Sequence, residues 1–398
     1  PTVILGMILG ALVFAWACEA FGIGGGIVAL FLYTFSPNIL AHSRLITTDI
    51  PVTLGIFASV YTLWRYVCVP SRKRLVVAGV AFGVAQLTKV TAHYLVFLAP
   101  LLLSLDALRA GFEEIGRGGD AIGGWRVKGR RLLHRQKRVI GITLILWLFG
   151  LFFLNLGFGF EGTFTPLSGY EKLWSPAFQR LAALPLLKDL PLPLPYAFVE
   201  GIDMLADHIV KGRWAFLLGE HRTWGFPHYF LVAFLVKVPS AMLVLLGISV
   251  WLFATGRVRA GNAEIFWTVP ILFFFVYFSL FFHNHIGLRY ILPIFPFLFV
   301  FVSRVVSYRP LPTPFGSVVS VLLLAYGGGS AAIHPHYLAF FNQLAGGPEK
   351  GWKILIDSNI DWDQDREAID AYIEKVRPIP VYKVDRRRGM RPRSGRIA

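Results

Sequence analysis

Residues 139–158 read VIGITLILWLFGLFFLNLGF, a run without a single charged side chain. At 1.5 Å of rise per residue such a helix is about 30 Å long, the thickness of a bilayer's hydrocarbon core. The segment before it, 109–138, carries Arg109, Arg117, Arg126, Lys128, Arg130, Arg131, Arg135, Lys137 and Arg138. An apolar run of that length behind a basic loop predicts a membrane-spanning helix whose basic flank stays in the cytoplasm. Working outward, further apolar runs lie near 3–18, 22–35, 50–67, 75–88, 93–107, 230–254, 264–282, 290–306 and 317–334. The chain therefore presents ten candidate spans, several of them shorter than the usual length of about 20 residues. The pair 75–88 and 93–107 is interrupted by Gln86, Lys89 and His93, which predicts two short helices around a polar break.

Composition agrees with this reading. Hydrophobic residues make up 55% and charged residues only 16%, against roughly 45–50% and about 25% in soluble domains. One soluble core cannot hide that much apolar surface, so lipid is the solvent. The net charge of +16 is gathered in short segments between apolar runs. There it sets topology and meets anionic lipid headgroups, so membrane lipids and not nucleic acid are the expected partner. Cys18 and Cys68 sit at the edges of apolar runs without metal-ligand spacing. The chain starts at Pro1 directly in an apolar run, which reads as a fragment beginning inside the membrane region.

Counting spans between them puts Arg72-Lys73-Arg74, Arg257 with Arg259, and Arg309 on the same side as 109–138. The opposite face receives 36–49, 88–93, the long loop 159–229, 283–289 and the tail from 335. Pro185, Pro191, Pro193 and Pro195 break up the long loop, and an amphipathic stretch near 197–218 follows. Trp174, Trp214 and Trp224 suit a position along the outer membrane surface. In the tail, 335–380, a strand is expected at Lys353–Asp357 and a helix from Gln364 to Val376. Asp363 and Asp365 fall near that helix's N-terminus, where acids are stabilised. The basic end, 381–398, with Arg386-Arg387-Arg388, has no pattern and is expected to be disordered. No internal repeat is visible.

Four polar clusters fall on the outer face. His42, Ser43 and Arg44 precede Asp49, which opens an apolar helix with Pro51 in its first turn; Asp49 reads as an N-cap that can also face a substrate cavity. Lys89, with Thr88, Thr91 and His93, lies deep enough in apolar sequence to face a cavity, or else snorkels to the interface. His283, His285, Arg289 and Tyr290 are squeezed between two runs. Arg289 suits a phosphate through its planar fork, or anchors at the headgroups. The two histidines have no carboxylate beside them, so no metal is expected. Glu220, His221, Trp224 and His228 precede Lys237, which lies several residues into the next run.

These clusters, in this order, resemble the bacterial branch of the protein O-mannosyltransferase and aminoarabinose-transferase families, C-type glycosyltransferases that use a polyprenyl-phosphate sugar. The matching stretches are FSPNILAHSRLITTDIPVTL, GVAQLTKVTAHYLVFLAPLLL, LLGEHRTWGFPHYFLVAFLVKVP, HIGLRYILPIFPF and HPHYLAFFNQLAGGPEKGWKILIDSNIDWDQD, from residue 35 to about 365. The resemblance implies an all-α polytopic membrane protein, a C-type glycosyltransferase-like helix bundle over 1–334 with a small extracytoplasmic α/β segment after it. It implies sugar transfer, with inversion, from a polyprenyl-phosphate donor to a protein, lipid A or glycan hydroxyl on the extracytoplasmic face of the inner membrane. Asp49 matches an acidic residue of the family's second outer loop and is the catalytic candidate within this sequence. Lys89, Arg289 and Tyr290 match substrate-binding positions, and His93, Glu220, His228 and Lys237 are further candidates. Asp363 stands where the family's tail motif has Gly. The family's first-loop catalytic Asp is expected upstream of Pro1. With no P-loop and no GxGxxG after a strand, no cofactor is expected. Alternatives are a lipid-linked sugar transporter or a non-enzymatic assembly subunit.

Overall fold

The computed structural model describes residues 2–117, 125–308, 313–362, 364, 366–376, 382–385 and 389–392. Arg309, Asp363, Asp365 and the arginines at 386–388 lie outside the described residues, as does the middle of the basic loop, 118–124. The bundle opens with α1 (Thr2–Thr34), α2 (Pro37–Arg44), α3 (Asp49–Cys68), α4 (Arg72–Gln86), α5 (Leu95–Arg117) and α6 (Trp125–Gly157). The long loop holds α7 (Pro176–Ala183), α8 (Pro185–Lys188), α9 (Tyr196–Lys211) and a hairpin of β1 (Ala215–Leu217) and β2 (Glu220–Arg222). Then come α10 (Tyr229–Lys237), α11 (Ser240–Ala254), α12 (Ala263–Leu280), α13 (Ile294–Val302) and α14 (Thr313–Ala332). The tail adds α15 (Arg366–Lys375) and a second hairpin, β3 (Tyr382–Asp385) with β4 (Gly389–Pro392).

Six of these helices are long and apolar enough to cross a membrane, or seven if α10 and α11 count as one span bent by 111°. The ten expected spans thus reduce, for local reasons. The runs 3–18 and 22–35 form the two arms of α1, which counts once in that total although it turns at Gly22. Gly22 sits between them at φ 73°, ψ −176°, a backbone region open essentially only to glycine. The Tyr33 hydroxyl donates to the Gly6 carbonyl at 2.6 Å. In a straight helix those residues would be roughly 40 Å apart, so α1 folds back on itself. The helix α4 has only 15 residues and begins with Arg72-Lys73-Arg74. The run 290–306 starts as a 3₁₀ turn, Leu288–Ile291, and leaves a short apolar helix, Ile294–Ser307. The break between α4 and α5 is as expected, with a 3₁₀ turn at Val90–Tyr94 leading into α5.

Small residues let the helices approach. Ala85 of α4 lies 3.0 Å from where a Cβ on Gly55 would stand, and the rings of Phe149 and Phe153 cover Gly79 and Gly83, a packing device suited to helices in lipid. Trp16 is fully buried and contacts the rings of Phe57, Tyr61, Trp64, Trp267 and Phe297. Polar groups collect at the two ends. At the Cys68 end, buried Arg304 donates to Glu264 at 3.2 and 2.8 Å, and the Trp64 indole donates to Asn262 at 3.2 Å. The Asp49 end carries the candidate site.

The tail departs from its expected form. No strand forms at Lys353–Asp357; the chain makes 3₁₀ turns at Pro348–Lys353 and Asp357–Asn359. Its polar backbone is used in docking: Leu218 N–H, next to the first hairpin, donates to the Ile354 carbonyl at 3.0 Å. The helix forms at Arg366–Lys375, within the stretch expected from about Gln364 to Val376. The β3–β4 hairpin stands where disorder was expected.

Candidate functional site

The three short segments that carry Asp49, Lys89 and Arg289 meet at one end of the bundle. Asp49 is the first residue of α3, after Thr48, which makes no side-chain cap bond. Its carboxylate does not cap its own helix, as the sequence suggested. It accepts from the Lys89 ammonium at 2.8 Å through Oδ1, while Oδ2 faces the Arg289 guanidinium and His42 Nδ1, each at 3.8 Å. Asp49 is 1% exposed, whereas Lys89 and Arg289 are 23% and 15% exposed. The carboxylate is thus sealed behind two cations that are themselves partly exposed.

Local structure delivers each group. The polar break between α4 and α5 holds Lys89 in extended backbone, φ −167° and ψ 148°, which turns its side chain inward. Arg289 lies in the 3₁₀ turn Leu288–Ile291, beneath Tyr290. The Tyr290 ring has the Arg289 Cζ at 5.2 Å and the Lys89 Nζ at 5.8 Å from its centre, distances at which a ring's face attracts a cation. The space between Asp49, Lys89, Thr91, Arg289 and Tyr290 amounts to about 10 Å³, room for roughly one water. The cluster is closed, and any phosphate entering it must displace contacts the carboxylate now makes.

His42, on α2, is 3% exposed. Burial pushes its pKa down to about 4; Asp49 pulls the other way, and Arg289, Lys237 and Lys89 add to the depression. His285 is held in one tautomer. Its Nδ1 accepts from Phe226 N–H at 2.9 Å, so its Nε2 donates to the Phe278 carbonyl at 3.1 Å. Burial lowers its pKa to about 4 as well. His285 also stacks on Tyr229, with ring centres 5.2 Å apart. It is a packing element of this end of the bundle.

The other expected residues lie apart from this cluster. His93 bonds the Val90 carbonyl and packs on Tyr94. Glu220 is exposed on β2 and pairs with Arg222 at 2.8 Å, and His228 stands exposed just before α10. Lys237 is buried and donates to the carbonyls of Leu338 and Asn359, both at 2.7 Å. It pins the tail to the bundle.

Sequence reading missed how the tail completes the site. Asn359 is 1% exposed; its side-chain oxygen accepts from Leu288 N–H at 3.0 Å, and its amide donates to the Tyr229 hydroxyl at 2.9 Å and the Ile356 carbonyl at 3.0 Å. Ser358 donates to the Ile286 carbonyl at 2.5 Å. Trp362 then lies over Arg289, 4.4 Å from Cζ to the ring centre. The stretch DSNIDW was visible as a motif, but its side chains bond backbone groups some 70 residues earlier, which spacing cannot reveal. Among the described residues, no group of three or more His, Cys, Asp or Glu could hold a metal ion.

Residues 1–112, which include Asp49 and Lys89, match the family model for dolichyl-phosphate-mannose-protein mannosyltransferases. The match supports the family resemblance carried by the motifs and, in a general sense, a multi-pass membrane glycosyltransferase. No curated protein and no solved structure matches the chain.

Proposed function

We propose that this chain transfers a sugar from a polyprenyl-phosphate donor to a hydroxyl acceptor at the outer face of the inner membrane, with inversion at the sugar C1. The observation that carries the reading is the convergence of Lys89 and Arg289 on buried Asp49 at one bundle end. Two cations this close in apolar surroundings would repel without an anion between them. Asp49 is that anion in the closed state, and the donor phosphate takes over part of its role when it binds. The acceptor oxygen bonds to C1 as the C1–O bond to the phosphate breaks, and the phosphate leaves with the extra negative charge. Lys89 and Arg289 stabilise that charge where water is scarce. A base must reach the acceptor hydroxyl within about 2.6–3.2 Å. Asp49 lies behind the cations, so its proposed part is to position them.

Arginine offers a phosphate two parallel donors and lysine one point charge. Binding of a fluorescent polyprenyl phosphate to the purified chain in nanodiscs should fall at least tenfold in Arg289→Ala, and less in Arg289→Lys, since a charge-assisted hydrogen bond is worth about 1.5–3 kcal/mol. Equal affinity in Arg289→Ala and the parent would return Arg289 to a headgroup anchor and remove the basis of this function.

A further inference from the structure

Beside the cationic cluster lies a second cavity, about 320 Å³ in volume, that the transfer chemistry above does not use. Its size falls at the lower end of the roughly 300–1,000 Å³ found for small-molecule sites. Three aromatic side chains line it: Trp214, Phe216 and Tyr229. His221 and Asp357 supply polar groups. Phe216 and His221 are a cross-strand pair of the first hairpin, with ring centres 4.9 Å apart. Trp214 is 68% exposed, so the face of its ring is accessible. Asp357 adopts φ 62°, a left-handed state that Asp visits more readily than most residues, and its carboxylate accepts from Ser358 N–H at 2.8 Å.

One strut joins this cavity to the cationic cluster. Tyr229 lines the cavity and accepts from Asn359, and Asn359 in turn accepts from the N–H of Leu288, the neighbour of Arg289. We propose that this cavity is the acceptor subsite and that it holds a pyranose ring of a saccharide, an inference that rests on the glycosyltransferase reading. A pyranose has one face of C–H groups, which suits the flat faces of Trp214 and Phe216, and a rim of hydroxyls, which suits the Asp357 carboxylate and the His221 imidazole. The volume suits one or two rings and is small for an extended peptide.

The test is saturation-transfer NMR on the full chain in nanodiscs of deuterated lipid, with no donor present. The probes are the methyl glycosides of glucose, mannose and N-acetylglucosamine, and a Ser/Thr-containing hexapeptide. Ring C–H signals of at least one glycoside should receive saturation. Trp214→Ala should weaken that glycoside about fivefold or more, the loss of one aromatic platform. Leu218→Ala, at the exposed hairpin tip outside the cavity, should leave it unchanged. Asp357→Asn should weaken the parent glycoside while narrowing its advantage over deoxy analogues, which loss of ring packing would not do. Absence of transfer to every glycoside, transfer unchanged in Trp214→Ala, or transfer to the peptide alone would each overturn the proposal. Arg289→Ala separates the two readings. Donor affinity that survives this substitution, with glycoside binding still lost in Trp214→Ala, sinks the donor site and leaves this one standing.

Discussion

Replacing Lys89 with Met removes what is, among the described residues, the only short side-chain contact of a carboxylate that is 1% exposed. Breaking a buried ion pair from one side costs about 3–5 kcal/mol, because the remaining charge is left without compensation. Lys89 is itself 23% exposed, and Arg289 remains 3.8 Å from the carboxylate, so the low end applies, roughly 3 kcal/mol. The double variant Asp49→Asn, Lys89→Met removes both partners and leaves only the part-exposed Arg289 charged at this point; it should lie about 1 kcal/mol below the parent, recovering about 2 kcal/mol of the loss in Lys89→Met. At about 2 °C per kcal/mol for a chain of this size, Lys89→Met should unfold about 6 °C lower in nanodiscs, followed by tryptophan fluorescence. The double variant should recover most of that loss. A double variant no more stable than Lys89→Met would show that the two residues do not support one another, and the site as described would be wrong.

Three further outcomes follow from the structure. His42 and His285 both have pKa values lowered from 6.5 to about 4 in the fold, so the unfolded chain takes up protons first. Stability should hold above about pH 6.5, fall as the pH drops toward 4 and level off below it; His42→Gln should flatten the decline, and an unchanged slope would place His42 in water. Gly22→Ala meets no atom within 4 Å, so its cost is purely conformational, about 1–3 kcal/mol; denaturant titration showing no loss would rule out the reversal in α1. In a background lacking Cys18 and Cys68, a membrane-impermeant maleimide applied from outside should label Lys350→Cys but not Lys73→Cys, and the opposite pattern would invert the proposed topology.

Much of this was legible in residue patterns. Charge-free runs such as 139–158 could only be membrane helices, and ionisable residues inside apolar sequence marked Asp49, Lys89 and Arg289. Periodicity could not show that Gly22 reverses a helix, because a single torsion decides it. Nor could it show that Lys237 grips carbonyls in the tail, since a buried lysine looks the same whether it meets a phosphate or a backbone. Arg304 and Glu264 were hidden by the apolar runs around them, and their pairing spans 40 residues. The tail was misread for a related reason: local β propensity at Lys353–Asp357 yields to docking against the first hairpin.

The docking of Asn359 and Trp362 onto the turn that holds Arg289 also sets a schedule for biosynthesis. The described membrane helices all precede Trp362 in the chain, and 73 residues separate Arg289 from Trp362, by subtraction of their positions. At about 5–20 residues per second, synthesis of those residues takes on the order of 4–15 s, during which the cation that Trp362 covers is still bare. A translation product that stops just before Asp357 would therefore retain its spans and its Asp49–Lys89 pair, yet lack the cover over Arg289.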